Sequence, residues 1–313
     1  MQFILLLLGF FFLIKGADIF VGGASSIARR FNVPSMIIGL TIVAMGTSAP
    51  EAAVSITSSL AGQNDMSVAN VVGSNLFNIL VVLGVSSIFK NLPVQSNTIK
   101  KDTPFLILIS ALLLLFSFNL KIGRIEGFIL LIIFTGFIIY TVRSALYSKN
   151  IPIDDEETAM SSSSEISLPK TILISIIGII GIVIGGDMVV NSASSIATSF
   201  GMSANLVGLT IVAIGTSLPE FVTSIIAVRK GETEIAIGNV IGSNIFNILL
   251  ILGLASSISP ISISLFAFID VVFMVVVTLL LYLFMKKDYS ITKKQGYILL
   301  AIYISYMIYS IIR

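Results

Sequence analysis

The chain has 313 residues, 56% of them hydrophobic and 11% charged, with a mean hydropathy of +1.06. That is too apolar for a soluble domain, and its longest apolar runs exceed the roughly 20 residues needed to span a bilayer, so it reads as an integral membrane protein. With no cysteine and no histidine, disulfides, thiolate chemistry, imidazole metal sites and histidine proton relays are excluded; any metal here is held by oxygen, and the net charge of +2 matters less than where the charges fall.

A bilayer leaves no water for unpaired backbone groups, and the apolar stretches lack the alternation of barrel strands, so the spans are expected as helices of an all-α membrane protein. The opening MQFILLLLGFFFLIKGAD lacks a basic leader and a small-residue cleavage site and is read as the first span. Spans follow near 2–26, 34–61, 66–89, 103–120 and 125–146, then 170–195, 203–229, 234–257, 265–285 and 295–312. Ten transmembrane helices are therefore expected. Residues 147–169, with four acids at 154–157 and four serines at 161–164, read as a solvated tether. It separates a first unit, 1–146, from a second, 170–313, and is too short for a folded regulatory domain.

The two units are copies. GLTIVAMGTSAPE at 39–51 returns as GLTIVAIGTSLPE at 208–220, matching at 11 of 13 positions with an offset of 169 residues. The offset holds without a gap from Gly16/Gly185 to Gly84/Gly253, so NVVGSNLFNILVVLG (70–84) pairs with NVIGSNIFNILLILG (239–253). Five spans per copy is an odd number. The second copy must then enter the membrane in the opposite sense, giving two inverted five-helix repeats whose shared site lies near the midplane. If the N-terminus is outside, 14 Lys and Arg fall on inner loops and three (Lys121, Arg124, Arg313) outside, with Lys15 inside the first span. This bias places both termini outside and the tether in the cytoplasm.

A charged side chain at mid-bilayer depth costs roughly 2.5–3.5 kcal/mol on insertion scales, so Glu51 and Glu220 require partners. No Lys or Arg occurs in 34–61 or 203–228, which leaves a cation from solution. Pro50 has no N–H to give the Gly46 carbonyl, and its ring disturbs the neighbouring carbonyls of Thr47 and Ala44; Pro219 does the same at Gly215, Thr216 and Ala213. Thr47 and Glu51, Thr216 and Glu220, Ser74 and Asn78, and Ser243 and Asn247 stand four residues apart on common helix faces, with Ser48 and Ser217 beside them. Carboxylate, amide, hydroxyl and carbonyl oxygens suit hard cations such as Ca²⁺ and Na⁺; Mg²⁺ fits less well because it gives up its waters reluctantly. Two carboxylates are balanced by one Ca²⁺ or two monovalent ions, whereas crossing empty leaves two buried charges, so the charge count favours coupled exchange over a channel. Protonated glutamates are also neutral, which keeps H⁺ open as the counter-ion.

Other polar residues carry less. Asp18 and Asp187 are read first as capping or packing and second as part of a cation path. Asn70, Asn239, Asn75 and Asn244 are expected to hydrogen-bond at helix breaks rather than ligate. The ASSIA segments 24–28 and 193–197 and the glycines of 178–186 suit close helix contact. The spans hold no HExxH and no paired catalytic aspartates, so no enzyme activity is expected.

GTSAPE with GSNLFN, repeated as GTSLPE with GSNIFN, closely resembles the alpha repeats of the sodium/calcium exchanger family, over nearly the whole chain. The resemblance implies antiport of Ca²⁺ against Na⁺ by alternating access, with the first and sixth helices sliding across a core of eight. It implies a Ca²⁺ site at Glu51, Glu220 and the carbonyls of Thr47 and Thr216. Flanking Na⁺ sites fall at Ala44, Ser48, Ser74, Ala213, Ser217 and Ser243, with a central position beside Asn78 and Asn247. Asparagine at 247, where potassium-dependent members carry aspartate, implies no K⁺ requirement. The short tether resembles prokaryotic members, which implies a cell-membrane location, no cofactor, no nucleic acid and no obligate protein partner beyond the lipid. The proton-coupled branch carries a GNATE-like signature instead, so H⁺/Ca²⁺ or other divalent exchange is the alternative.

Overall fold

The computed structural model describes residues 1–60, 65–148, 167–202 and 213–312. Most of the tether (149–166) and the stretch 203–212, which holds the first residues of the second GLTIVAIGTSLPE, lie outside them.

The chain is built almost wholly of helices, as apolar segments without competing solvent must be. Helix α1 (Gln2–Phe31) stops at Asn32, whose φ of 50° suits the left-handed conformation that ends many helices. Next come α2 (Ser35–Thr47) and α3 (Ala49–Leu60), bent by 49° where they meet. Helix α4 (Asp65–Phe77) continues through a π turn, Asn78–Val82, into Leu83–Phe89. After strand β1 (Leu92–Pro93), the π turn Thr98–Asp102 leads into α5 (Thr103–Ser117), then strand β2 (Lys121–Ile122) and α6 (Arg124–Ser148). The second copy runs α7 (Leu168–Ser199), a turn at Ala213–Gly215, α8 (Leu218–Arg229) and α9 (Thr233–Phe246) with its π turn Asn247–Ile251 and the continuation Leu252–Ile258. Strand β3 (Ile261–Ser262), α10 (Leu265–Asp288), strand β4 (Ser290–Ile291) and α11 (Lys293–Ile312) complete it.

Among the described residues, seven helices are long and apolar enough to cross a membrane, or eight if the bent pair α2–α3 is counted as one broken span. The expected span 103–120 is the 15-residue α5, shorter than a full crossing by itself. That at 203–229 begins outside the described residues and is seen from Ala213 onward.

The short strands tie the copies together. β1 pairs antiparallel with β4, Leu92 opposite Ile291, and β2 with β3, Ile122 opposite Ile261. Adding 169 turns Leu92 into Ile261 and Ile122 into Ile291, so each pairing is the image of the other.

Two close helix contacts set the frame. An ideal Cβ on Gly185 of α7 would stand 2.4 Å from the Leu13 backbone nitrogen of α1, and one on Gly16 would stand 2.7 Å from the Gly178 carbonyl, so α1 and α7 touch backbone to backbone through glycine. The packing expected of the 178–186 glycines is met here. The second contact joins the copies: Gly238 and Gly242 of α9 lie against the Met36 and Leu40 carbonyls of α2, at 2.7 and 2.5 Å from the same ideal position. Only glycine lets α9 approach α2 closely enough to set Asn239 beside Thr47. The α4 and α9 spans form the centre of the bundle, 78% and 94% buried over their apolar windows, whereas α1 and α7 are largely exposed to their surroundings.

Candidate cation site

The site starts at two helix breaks. Ser48 leaves the helical region at φ −81°, ψ 8°, and its counterpart Ser217 does so at φ −91°, ψ 6°. Each break precedes a proline by two residues, and the glutamate follows in the first turn of the next helix. A residue before proline is pushed away from helical dihedrals, and the missing proline N–H leaves a carbonyl without its donor. The Ala44 carbonyl departs from expectation. It keeps the Ser48 N–H at 3.0 Å and the Thr47 hydroxyl at 3.3 Å, because the donor that proline removes serves Gly46, four residues back, and not Ala44. Ala213 opens the turn Ala213–Gly215; its side chain lies outside the described residues.

Glu51 and Glu220 are fully buried, and each is bonded by the other copy. Ser48 Oγ donates to Glu220 Oε1 at 2.9 Å, and Ser217 Oγ donates to Glu51 Oε1 at 3.0 Å. Ser243 Oγ adds a 3.3 Å bond to Glu220 Oε1. The threonine hydroxyls are also spent across the boundary, Thr47 on Asn239 Oδ1 at 3.0 Å and Thr216 on Asn70 Oδ1 at 3.5 Å. Asn239 Nδ2 in turn holds the Glu220 carbonyl and Ser224 Oγ at 3.3 and 3.0 Å, and Asn70 Nδ2 holds the Glu51 carbonyl and Ser55 Oγ at the same two distances.

Deeper in the bundle, Asn78 Nδ2 donates to Asn244 Oδ1 at 3.1 Å and Asn247 Nδ2 to Asn75 Oδ1 at 3.0 Å. Asn78 and Asn247 each open a π turn, a geometry frequent at functional positions. The hydrogen-bonding role expected of Asn70, Asn239, Asn75 and Asn244 is what these contacts show.

What remains unbonded is informative. Among the described residues, Glu51 Oε2, Glu220 Oε2, Asn78 Oδ1, Asn247 Oδ1 and Ser74 Oγ are buried without a hydrogen-bond partner. Each such atom costs about 1–3 kcal/mol if nothing replaces water. Four of these five are acceptors only, and the five belong to the motifs singled out in the sequence; the hydroxyls of Ser86, Ser194 and Thr223, elsewhere in the bundle, are likewise buried without a partner.

Sequence reasoning missed the ion pairs at one end of α1. Arg29 bonds Glu232 at 3.1 Å, Lys230 meets Asp18 at 3.0 Å, and Ser25 also donates to Glu232. Asp18 is thus a pairing residue. These contacts join positions more than 200 residues apart that the repeat does not share, so no internal comparison could have found them.

Fold and site define the class: a multi-pass helical membrane protein, built from two copies of one unit, with an oxygen-lined acidic site where the copies meet. The family model described as sodium/calcium exchanger protein matches residues 1–143 and 170–312. The chain is 33% identical over 344 residues to the sodium/calcium exchanger MaX1 of Methanosarcina acetivorans, covering 98% of this chain and 97% of that one. It is 44% identical over 263 residues to the putative antiporter CaxA of Alkalimonas amylolytica, covering 82% and 81%. Its structure is similar to that of the sodium-calcium exchanger NCX_Mj soaked with Na⁺ and Ca²⁺, with a TM-score of 0.86 at 33% identity over 98% and 97% of the two chains. The chain belongs to the sodium/calcium exchanger family, a family of membrane antiporters.

Proposed function

We propose that this protein exchanges Na⁺ for Ca²⁺ across a prokaryotic cell membrane by alternating access, with the ions bound between the two GTSxPE and the two GSNxFN motifs. The observation that carries the reading is the set of buried, partnerless oxygens of Glu51, Glu220, Asn78, Asn247 and Ser74 at the junction of the copies. Ser48, Ser217 and Ser243 line the same place through their bonds to the glutamates. The Thr47 and Thr216 hydroxyls are occupied, so these residues serve through their carbonyls, as does Ala213 at one flank, whereas the Ala44 carbonyl would have to release the two donors it holds. Among the described residues no group of three or more His, Cys, Asp or Glu gathers, so the site's formal charge is that of two carboxylates. One Ca²⁺ neutralises it, and so do two Na⁺; a further Na⁺ leaves one positive charge. Crossing empty would bury two unpaired charges, and this cost is what couples the two ions.

Ten spans in two inverted repeats give the frame. The exchange-symmetric strand pairs support it, because they place the loop after span three with that between spans nine and ten, and the loop after span four with that between eight and nine. In the inverted arrangement those loops share a side. The first pair then lies on the cytoplasmic face with Lys90, Lys100, Lys101, Lys286, Lys287, Lys293 and Lys294, and both termini lie outside.

The test is Ca²⁺ uptake into proteoliposomes loaded with Na⁺, set against vesicles loaded with K⁺, choline or an acidic buffer. Uptake that requires internal Na⁺ is expected. Uptake driven instead by a pH gradient makes H⁺ the counter-ion, and entry regardless of the interior overturns coupling.

A further inference from the structure

Asn78 and Asn247 offer oxygen to the site, yet a carboxamide is a rotor with an acceptor at one end and two donors at the other. Turned by half a revolution, each presents N–H groups to a cation. Something must set the rotor, and the structure shows a linear chain of four asparagines, Asn78–Asn244–Asn75–Asn247, that does so. Its starting points are main-chain carbonyls, which can only accept. Asn75 Nδ2 donates to the Asn244 carbonyl at 3.4 Å, and Asn244 Nδ2 donates to the Asn75 carbonyl at 3.3 Å. With their nitrogens committed, Asn75 and Asn244 turn their oxygens toward the remaining pair. Asn75 Oδ1 takes Asn247 Nδ2 and Asn244 Oδ1 takes Asn78 Nδ2. Each polarity follows from the one before it. The chain ends on Asn78 Oδ1 and Asn247 Oδ1, the two amide oxygens left without partners.

We infer that Asn75 and Asn244 are positioning residues that lock Asn78 and Asn247 with their oxygens toward the transported cations. This rests on the proposed function. All four side chains are at most 1% exposed, so the chain is shielded from bulk water. Each rotor is set by the opposite copy, Asn78 by Asn244 and Asn247 by Asn75, so the central acceptors exist only when the two copies are docked. The asparagine chain deepens the site assignment by making selectivity for cations depend on residues that touch no ion.

A double-mutant cycle separates positioning from mere packing. An aspartate at 247 has an acceptor at both ends and needs no lock. Asn75→Ala is expected to weaken apparent Ca²⁺ affinity about tenfold in the native background and less than about twofold in the Asn247→Asp background, read by Ca²⁺ uptake and by equilibrium Ca²⁺ binding to the purified protein. Equal losses in the two backgrounds, or no loss in the first, overturn the inference. Asn244→Ala with Asn78→Asp closes the same cycle from the other side, and gives the answer if the Asn75 variant fails to fold. If the native protein shows no Na⁺-dependent uptake, the proposed function falls; if it does and the cycles show no coupling, only the asparagine lock falls.

Discussion

Ser48 donates a 2.9 Å hydrogen bond to Glu220, and 169 residues further on Ser217 returns the same bond to Glu51 at 3.0 Å. Each carboxylate is therefore anchored through one oxygen by the opposite copy, while its second oxygen stays open. The anchor fixes where the charge lies without consuming it. Both copies must be docked for either glutamate to be held.

Glu51→Gln or Glu220→Gln is expected to abolish Ca²⁺ transport in the liposome assay. Either change leaves a single negative charge to face a divalent ion inside the bundle, and puts an amide where both oxygens were acceptors. Near-normal transport by both variants would sink the site assignment.

Asn247→Asp is expected to change the ion dependence of transport while the protein remains folded, because the added carboxylate raises the site's charge from two to three. The check is a comparison of Na⁺ and K⁺ dependence in native and variant vesicles. An unchanged dependence argues against a cation beside position 247.

The pairs Arg29–Glu232 and Lys230–Asp18 fasten one end of α1 to the turn between α8 and α9. The repeat does not copy them: counterparts of Lys230 and Glu232 are Ala61 and Gln63, and Ser194, the counterpart of Ser25, has no partner. Partly exposed pairs contribute about 0.2–1 kcal/mol each and fade with salt. Lys230→Ala combined with Glu232→Gln should therefore lower the thermal midpoint slightly at low ionic strength and not at 1 M choline chloride, where the Debye length falls to about 3 Å. An equal drop in both conditions would mean that the side chains act by packing.

Asp102 sits in the turn before α5, beside a small polar cavity lined by Gln95, Thr98 and Tyr140. Burial pushes its carboxyl up from 3.8 to about 6, against the opposing pull of Lys101 and Thr98. A raised folded value means that the folded state holds the proton more tightly. Its contribution is fullest below 3.8 and is lost as pH rises through about 6. Relative to Asp102→Asn, the native protein should gain stability on going from pH 7.5 to pH 5, by less than about 3 kcal/mol at roughly 1.4 kcal/mol per unit. A gap between the two thermal midpoints that stays constant over this range would contradict the assignment.

Much was legible in the sequence because the membrane makes few compromises. Apolar runs must be helices, an intramembrane carboxylate must have a partner, and a proline must break its helix, so Glu51, Glu220 and the serines beside them stand out in a chain with no nearby base. The 169-residue offset added the second half of the site for the same reason, since identical motifs meet identical constraints. Tertiary structure decided the rest. Which hydroxyl meets which carboxylate and that Asn75 orients Asn247 depend on how α2, α4, α8 and α9 approach one another, that Arg29 reaches Glu232 depends on where α1 lies, and that Ala44 keeps its helix donor is seen only in the folded break. Apart from the local Ala44–Ser48 bond, those contacts join residues about 170 or more positions apart, and local pattern carries no information on them. The glycines at 238 and 242 let α9 close on α2 to backbone distance, a property of the packed pair and not of either segment alone.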